Sequence, residues 1–221
     1  VLDEGVRELR FERDPSPLLD RIGEVPLPPY IRQPLTDADR YQTVYNRVAG
    51  SAAAPTAGLH FTPALIERLA RQGVGLAFVT LHVGADTFRP MTEDEVEQHE
   101  IHSEWACVPA ETALALDATR RAGGRIVAIG TTTVRALESA ALEWADGAPP
   151  ADWSGWTRLF IRPGHRFLAV DALVTNFHLP RSTLLVLVAA FTGKPLMDRA
   201  YAAAIANGYR FYSFGDAMLV L

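Results

Sequence analysis

The sequence predicts an α/β protein: a large domain of alternating helices and short strands, preceded by the tail of a smaller β-rich unit. Three observations carry this expectation. From Tyr41 onward, short apolar runs alternate with stretches of helical periodicity. Helix boundaries are written into the chain as Thr62-Pro63 before an apolar stripe and as glycines at 73, 123 and 193. The 221 residues, 48% of them hydrophobic, suffice for a substantial buried core.

The elements follow in order. Residues 1–14 read as the end of the β-rich unit, with residues 9–12 resembling a strand whose partners lie upstream, in an amino-terminal portion outside the chain. Residues 15–34, with PLPPY at 26–30, are too proline-rich for a regular core element and form the expected linker to a main domain at 35–221. In that domain Thr62 caps a helix with Leu65, Ile66 and Leu69 on its apolar face, and a strand is expected over 76–83. Thr92 and Glu95 have capping-box spacing before a short acidic helix. A strand over 101–108, a helix over 110–122, a buried strand over 125–129 and a helix over 132–144 come next. A strand pair is expected at 157–162 and 167–170, then helices from Ser182 or Thr183 to Gly193 and over 196–206, and two closing strands within 209–221.

Composition narrows the function classes. The single cysteine, Cys107, supports neither a disulfide framework nor a cysteine-rich zinc site, which fits a reducing cytoplasm. No apolar run approaches bilayer length, and the charged first residues are unlike a signal peptide, so no membrane association is expected. A formal charge of −5 argues against nonspecific coating of nucleic acid, which depends on phosphate neutralisation, but leaves room for a local basic stripe. Lys194 is the only lysine. The arginine bias suits bidentate phosphate or carboxylate contacts, although genomic composition accounts for most of these positions.

Four of the six histidines, His60, His82, His102 and His178, lie at element boundaries, where α/β sheets gather ligands and catalytic groups. For His60 and His178 a structural hydrogen-bonding role weighs equally. His99 and His165 read as surface or turn residues. The small side chains of residues 51–58, including Thr56 and Gly58, demand close approach by either a ligand or a neighbouring helix. Gly130 and Thr131, Thr132 and Thr133 join a buried strand to a helix, where free amides and hydroxyls receive an anion; the turn is neither a Walker motif nor a dinucleotide fingerprint. Arg135 and Glu138, three apart on that helix, share a face as functional groups or as a surface ion pair. His102 and Glu104, two apart on a strand, point the same way and form a candidate acid–base pair or cation site. Asp86, in the loop after His82, is a further carboxylate whose ordinary role is to stabilise its own turn. HExxH and GxSxG are absent, and the histidine spacings match no compact metal motif, so no metal is expected.

The segments AAPTAGLHF, FVTLHVGADTF, IHSEW, GGRIVAIGTTTVRALES, DALVTNFHLPRSTLL and AIANGYRFYSFGDAML occur in this order, together with LPPYI and YQTVY. From about Glu24 to the end, the chain resembles the S-adenosylmethionine:tRNA ribosyltransferase-isomerase family of queuosine biosynthesis. That resemblance implies a cytoplasmic enzyme with an α/β domain and a smaller β-barrel-like domain, residues 1–14 being the barrel's last piece. It implies transfer and isomerisation of the ribosyl group of S-adenosylmethionine onto 7-aminomethyl-7-deazaguanine in the tRNA anticodon, giving epoxyqueuosine and releasing adenine and methionine. S-adenosylmethionine is then a consumed substrate, and no cofactor is required. The family usually has LHVGAGTF where this sequence carries Asp86, so the second segment departs from the pattern.

The chemistry asks for a base at the carbon beside the sulfonium, a proton for departing adenine and a neutral amine nucleophile. His82 and His102 are the proton-transfer candidates, with Glu104 or Glu138 toward the cationic sulfonium or amine. Thr131, Thr132, Thr133 and Arg135 are assigned to the methionyl carboxylate. Thr56, Gly58, His60, Thr87, Asn176 and His178 complete the expected substrate-binding set. Arg158, Arg162 and Arg166 are the candidate phosphate-binding edge for tRNA. A monomer is favoured slightly. Two alternatives are a histidine-ligated metal-dependent hydrolase, which chelation would inactivate, and a noncatalytic RNA-binding fragment, which would bind tRNA without consuming S-adenosylmethionine.

Overall fold

The structure, a computed structural model, describes residues 9–84, 96, 99, 101–144 and 151–221. Within them two three-stranded sheets enclose one central helix. Helix α1 (Ser16–Ile22) lies inside the proline-rich stretch expected to lack a regular core element, and its start is fixed by Asp14, whose carboxylate accepts the Ser16 amide at 3.0 Å. Its Leu19 and Ile22 are exposed, so the helix is not a core element. Helix α2 (Pro63–Arg71) begins as expected: the Thr62 hydroxyl accepts the Leu65 amide at 3.2 Å, and Gly73 (φ 78°) ends it.

The first sheet is antiparallel, with β1 (Thr80–His82) and β4 (Trp153–Thr157) flanking β2 (Glu104–Val108). Strand β1 is shorter than the sequence suggests, and its register gives the reason. Thr80 pairs with Cys107; two positions further on, past Val108, β2 gives way to Pro109 and turns away as helix α3 (Ala110–Arg121), so residues 76–78 have no β2 residue opposite them. Along β2, Glu104, Ala106 and Val108 are buried while Trp105 and Cys107 face outward.

The second sheet places β5 (Ala172–Asn176) between parallel β3 (Val127–Ile129) and antiparallel β6 (Ala217–Val220). Helix α4 (Thr131–Glu143) follows β3 through Gly130, whose φ of 91° suits glycine. This helix packs on both sheets, and Val134, Ala136, Leu137 and Ala140 anchor the main core with Ala106, Val108, Ile161 and Leu173. Helices α5 (Thr183–Thr192) and α6 (Lys194–Ala206) meet at Gly193, φ 76°; Leu187 of α5 joins the main core, while Val188 and Ala189 pack with Met197 of α6 in a second, smaller cluster. Among the described residues no helix is long and apolar enough to cross a membrane.

The carboxy-terminal third departs most from expectation. The strand pair expected at 157–162 and 167–170 is absent: β4 ends at Thr157, and residues 158–171 are irregular. The backbone amides of Leu168, Ala169 and Val170 donate instead to the buried carboxylate of Glu138, at 2.8, 2.8 and 3.1 Å, so they are unavailable to a ladder. One closing strand forms rather than two, because residues 209–216 fold into a turn tied by the Arg210 amide to the Asp216 carboxylate at 2.7 Å. Residues 1–8, the 92–95 capping box, Asp86 and Thr87 lie outside the described residues.

Candidate functional site

Parallel strands β3 and β5 both end at one cleft, the place where open α/β sheets commonly take ligands. It encloses about 980 Å³ of non-protein space including its open mouth. From β3 come Gly130, Thr131 and Thr132; from β5 come Thr175, Asn176 and, just beyond, His178. The small-residue segment supplies Ala53 to Ala57. Thr56 donates its hydroxyl to Asn176 Oδ1 at 3.0 Å, and Asn176 Nδ2 donates to the Tyr212 carbonyl at 3.2 Å, so Asn176 fastens two walls together. No aspartate, glutamate, lysine or arginine is among the described residues lining this cleft.

His178 is a neutral member of the site. Its Nε2 lies 2.7 Å from the Thr175 hydroxyl and its amide donates to Tyr201 Oη at 3.0 Å; burial pushes its pKa down to about 4. The unfolded chain, near 6.5, binds that proton first, so the stability this residue contributes is present above pH 6.5 and lost as pH falls toward 4. We expect urea unfolding to show a loss of about 2 kcal/mol attributable to this group between pH 7 and 4.5, and His178→Gln to flatten that dependence.

A smaller compartment adjoins the cleft across Thr131, Thr132 and Leu184 and is lined also by His102, Arg135, Phe160 and Thr183. Behind it runs a polar chain. His102 Nε2 lies 3.0 Å from Glu104 Oε1, and the second Glu104 oxygen is paired with Arg135 Nη1. Arg135 Nε donates to the Leu159 carbonyl at 3.1 Å, while Nη2, also buried, has no hydrogen-bond partner among the described residues. Burial lowers the Arg135 pKa and the Glu104 charge opposes that shift. Because a carboxylate held by an arginine only accepts, His102 Nε2 is the donor, which leaves Nδ1 of the neutral ring as a proton acceptor.

Other expected residues are placed elsewhere. Glu138 is fully buried and lines neither compartment; besides the three backbone amides it lies 3.3 Å from His165 Nε2. His82 lines neither as well: its ring stacks on Trp105 at 5.2 Å, and Gly50 sits so close that a Cβ there would lie 2.8 Å from the imidazole. Its neighbour Val83 reaches the cleft instead. Gly58 admits the Tyr45 hydroxyl, so its smallness serves protein packing. His60 has its ring nitrogens 3.1 and 3.0 Å from the carbonyls of Ala57 and Gly215, tying the small-residue segment to the carboxy-terminal turn. Thr133 donates to the Ile129 carbonyl at 2.8 Å. Arg158, Arg162 and Arg166 are all exposed on the irregular segment after β4. Sequence reasoning missed Tyr30, Tyr212 and Ser213, which line the cleft; the first sits in the supposed linker and the others in a supposed strand. Their aromatic clustering near YRFYSF was the available signal. Among the described residues no group of three or more His, Cys, Asp or Glu is disposed to hold a metal.

Comparison with known proteins places this arrangement. A protein from Moorella thermoacetica named S-adenosylmethionine:tRNA ribosyltransferase-isomerase is 53% identical over all of this chain, which covers 65% of that protein. One of the same name from Thermus thermophilus is 57% identical, again over the whole chain, which covers 63% of it. The chain thus spans somewhat under two thirds of the length of these relatives. The crystal structure of a Thermotoga maritima S-adenosylmethionine tRNA ribosyltransferase superposes with a TM-score of 0.63 at 52% identity, covering 75% of this chain and 51% of that one. The profile of the family described as queuosine biosynthesis protein matches residues 1–220, and the chain belongs to that family.

Proposed function

We propose that this chain carries the site of an S-adenosylmethionine:tRNA ribosyltransferase-isomerase. The substrates are S-adenosylmethionine and a tRNA bearing 7-aminomethyl-7-deazaguanine in its anticodon; the products are epoxyqueuosine in the tRNA, adenine and methionine. A tRNA substrate places the reaction in the cytoplasm. The observation that carries the reading is the chain His102–Glu104–Arg135 beside a cleft at the ends of two parallel strands, where none of the described lining residues is an aspartate, glutamate, lysine or arginine.

The sulfonium acidifies the adjacent 5′ carbon, and His102 Nδ1 takes one proton from it, the pair of electrons staying on carbon next to the positive sulfur. Glu104 holds the ring in the required tautomer and stabilises the imidazolium formed; Arg135 pairs with Glu104 and holds it in place. The proton can then be returned to departing adenine. Thr131 and Thr132 at the start of α4 present hydroxyls and helix-end amides to the polar substrate groups. Arg158, Arg162 and Arg166 supply phosphate contacts on the exposed surface.

Incubation of the protein with S-adenosylmethionine and precursor-bearing tRNA should yield epoxyqueuosine on nucleoside analysis, with one adenine released per modified tRNA. Intact precursor after prolonged incubation of folded protein rejects the reading.

A further inference from the structure

We propose that Tyr212 and Tyr30 form an aromatic wall that holds a flat, neutral purine-type heterocycle in the main cleft, and that the backbone at Tyr212 is kept in a strained conformation to present its ring there.

Tyr212 has φ 72°, in the left-handed region a tyrosine seldom adopts; among the described residues the only other non-glycine there is Arg181, φ 55°, between cleft-lining Pro180 and Ser182. Such a conformation persists only where the surroundings over-determine it, and those holding Tyr212 are on hand. Its amide donates to the Phe177 carbonyl at 2.9 Å, and its carbonyl accepts from Asn176 Nδ2 at 3.2 Å and from the Gly215 amide at 3.0 Å. Two of these partners, Asn176 and Phe177, come from the end of β5, so the sheet itself sets the position of the ring.

Tyr30 reaches the same wall from the proline-rich segment. The two rings lie 5.2 Å apart and inclined at 50°, and the Tyr30 hydroxyl is 2.6 Å from Oγ of the buried Ser213. Ala53, Ala54 and Pro55 give the stretch of wall they form little bulk, which leaves room for a planar ring. Offset or tilted stacking against tyrosine favours such a ring, and the hydroxyls of Thr56, Thr131 and Thr132 offer hydrogen bonds to its edge. Among the described residues no aspartate, glutamate, lysine or arginine lines the cleft, which suits a neutral group, while the charged end of a ligand is directed toward His102 and Arg135 next door. This inference rests on the proposed reaction for its ligands. That reaction offers two heterocycles of the required chemistry, the adenine of S-adenosylmethionine and the deazaguanine of the RNA.

The test measures binding of S-adenosylmethionine and, separately, of free 7-aminomethyl-7-deazaguanine by titration calorimetry, alongside thermal unfolding. Tyr212→Phe should bind at least one of them within threefold of the unaltered protein. Tyr212→Gly should bind that same compound at least tenfold more weakly while its Tm stays equal or rises, because glycine accepts φ 72° without strain. Tyr30→Leu, which leaves the Tyr212 backbone alone, should lower the same affinity severalfold. The compound whose affinity falls identifies the heterocycle. Binding by Tyr212→Gly within twofold of the unaltered protein, or binding of neither compound by the unaltered protein, overturns the proposal. Epoxyqueuosine formation with an unchanged KM in Tyr212→Gly overturns this inference alone; Tyr212-dependent binding without any adenine release overturns the proposed reaction alone.

Discussion

Glu138→Ala should destabilise the protein by about 3–5 kcal/mol, a large part of the roughly 5–15 kcal/mol typical of a folded domain. The glutamate has no exposed surface and accepts the amides of Leu168, Ala169 and Val170. Truncation leaves those amides without an acceptor, two of them on buried residues, and an unsatisfied buried donor costs about 1–3 kcal/mol. Glu138→Gln keeps the shape yet turns one acceptor into a donor facing the Leu168 amide, so it should lose less, about 2 kcal/mol. Urea unfolding of both variants checks the order. A loss below about 1 kcal/mol for Glu138→Ala would remove the glutamate as the clamp of residues 168–170.

Arg135→Met is the second large effect. Glu104 is 1% exposed and Arg135 6%, so removing the cation strands a buried carboxylate, at a cost of about 3–5 kcal/mol. The double variant Glu104→Met with Arg135→Met should recover much of that loss, since apolar replacement of a buried pair is often neutral or better. The cycle therefore separates stability from function: the double variant folds but should turn over slowly, because His102 has lost the carboxylate that orients it. Additive losses in the cycle would show that the two side chains do not act as a pair.

These two residues also show what the sequence could and could not convey. The i, i+3 spacing of Arg135 and Glu138 suggests one shared face and a common task. Instead α4 is enclosed by both sheets, and each residue finds its partner on a different segment, Arg135 on β2 and Glu138 on residues 168–170. Helix α4 itself was legible, because Gly130, the threonines and the apolar run carry local signals. Strand β5 was not. FLAV at 167–170 looks as strand-like as ALVTN at 172–176, and only the long-range demand of Glu138 for three amides distinguishes them.

The site was partly legible for the same reason. His102 and Glu104 share a strand face by a two-residue rule, and the structure brings them within hydrogen-bonding distance. His82 looked equivalent at its strand end, but it points to the outer face of the first sheet, in register with Trp105, where neither compartment lies. Tyr30 could not be placed from sequence because a proline-rich segment gives no hint of the partner it folds against; here that partner is Ser213, 183 residues away.

The central claim is that His102, oriented by Glu104 and Arg135, moves the proton at the carbon beside the sulfonium. The direct measurement is the rate of adenine release from S-adenosylmethionine, with precursor-bearing tRNA, for the unaltered protein and for His102→Gln. A fall in kcat of roughly 100- to 10,000-fold, with the Tm and the affinity for S-adenosylmethionine nearly unchanged, is the expected result. Near-normal turnover by His102→Gln would contradict the account.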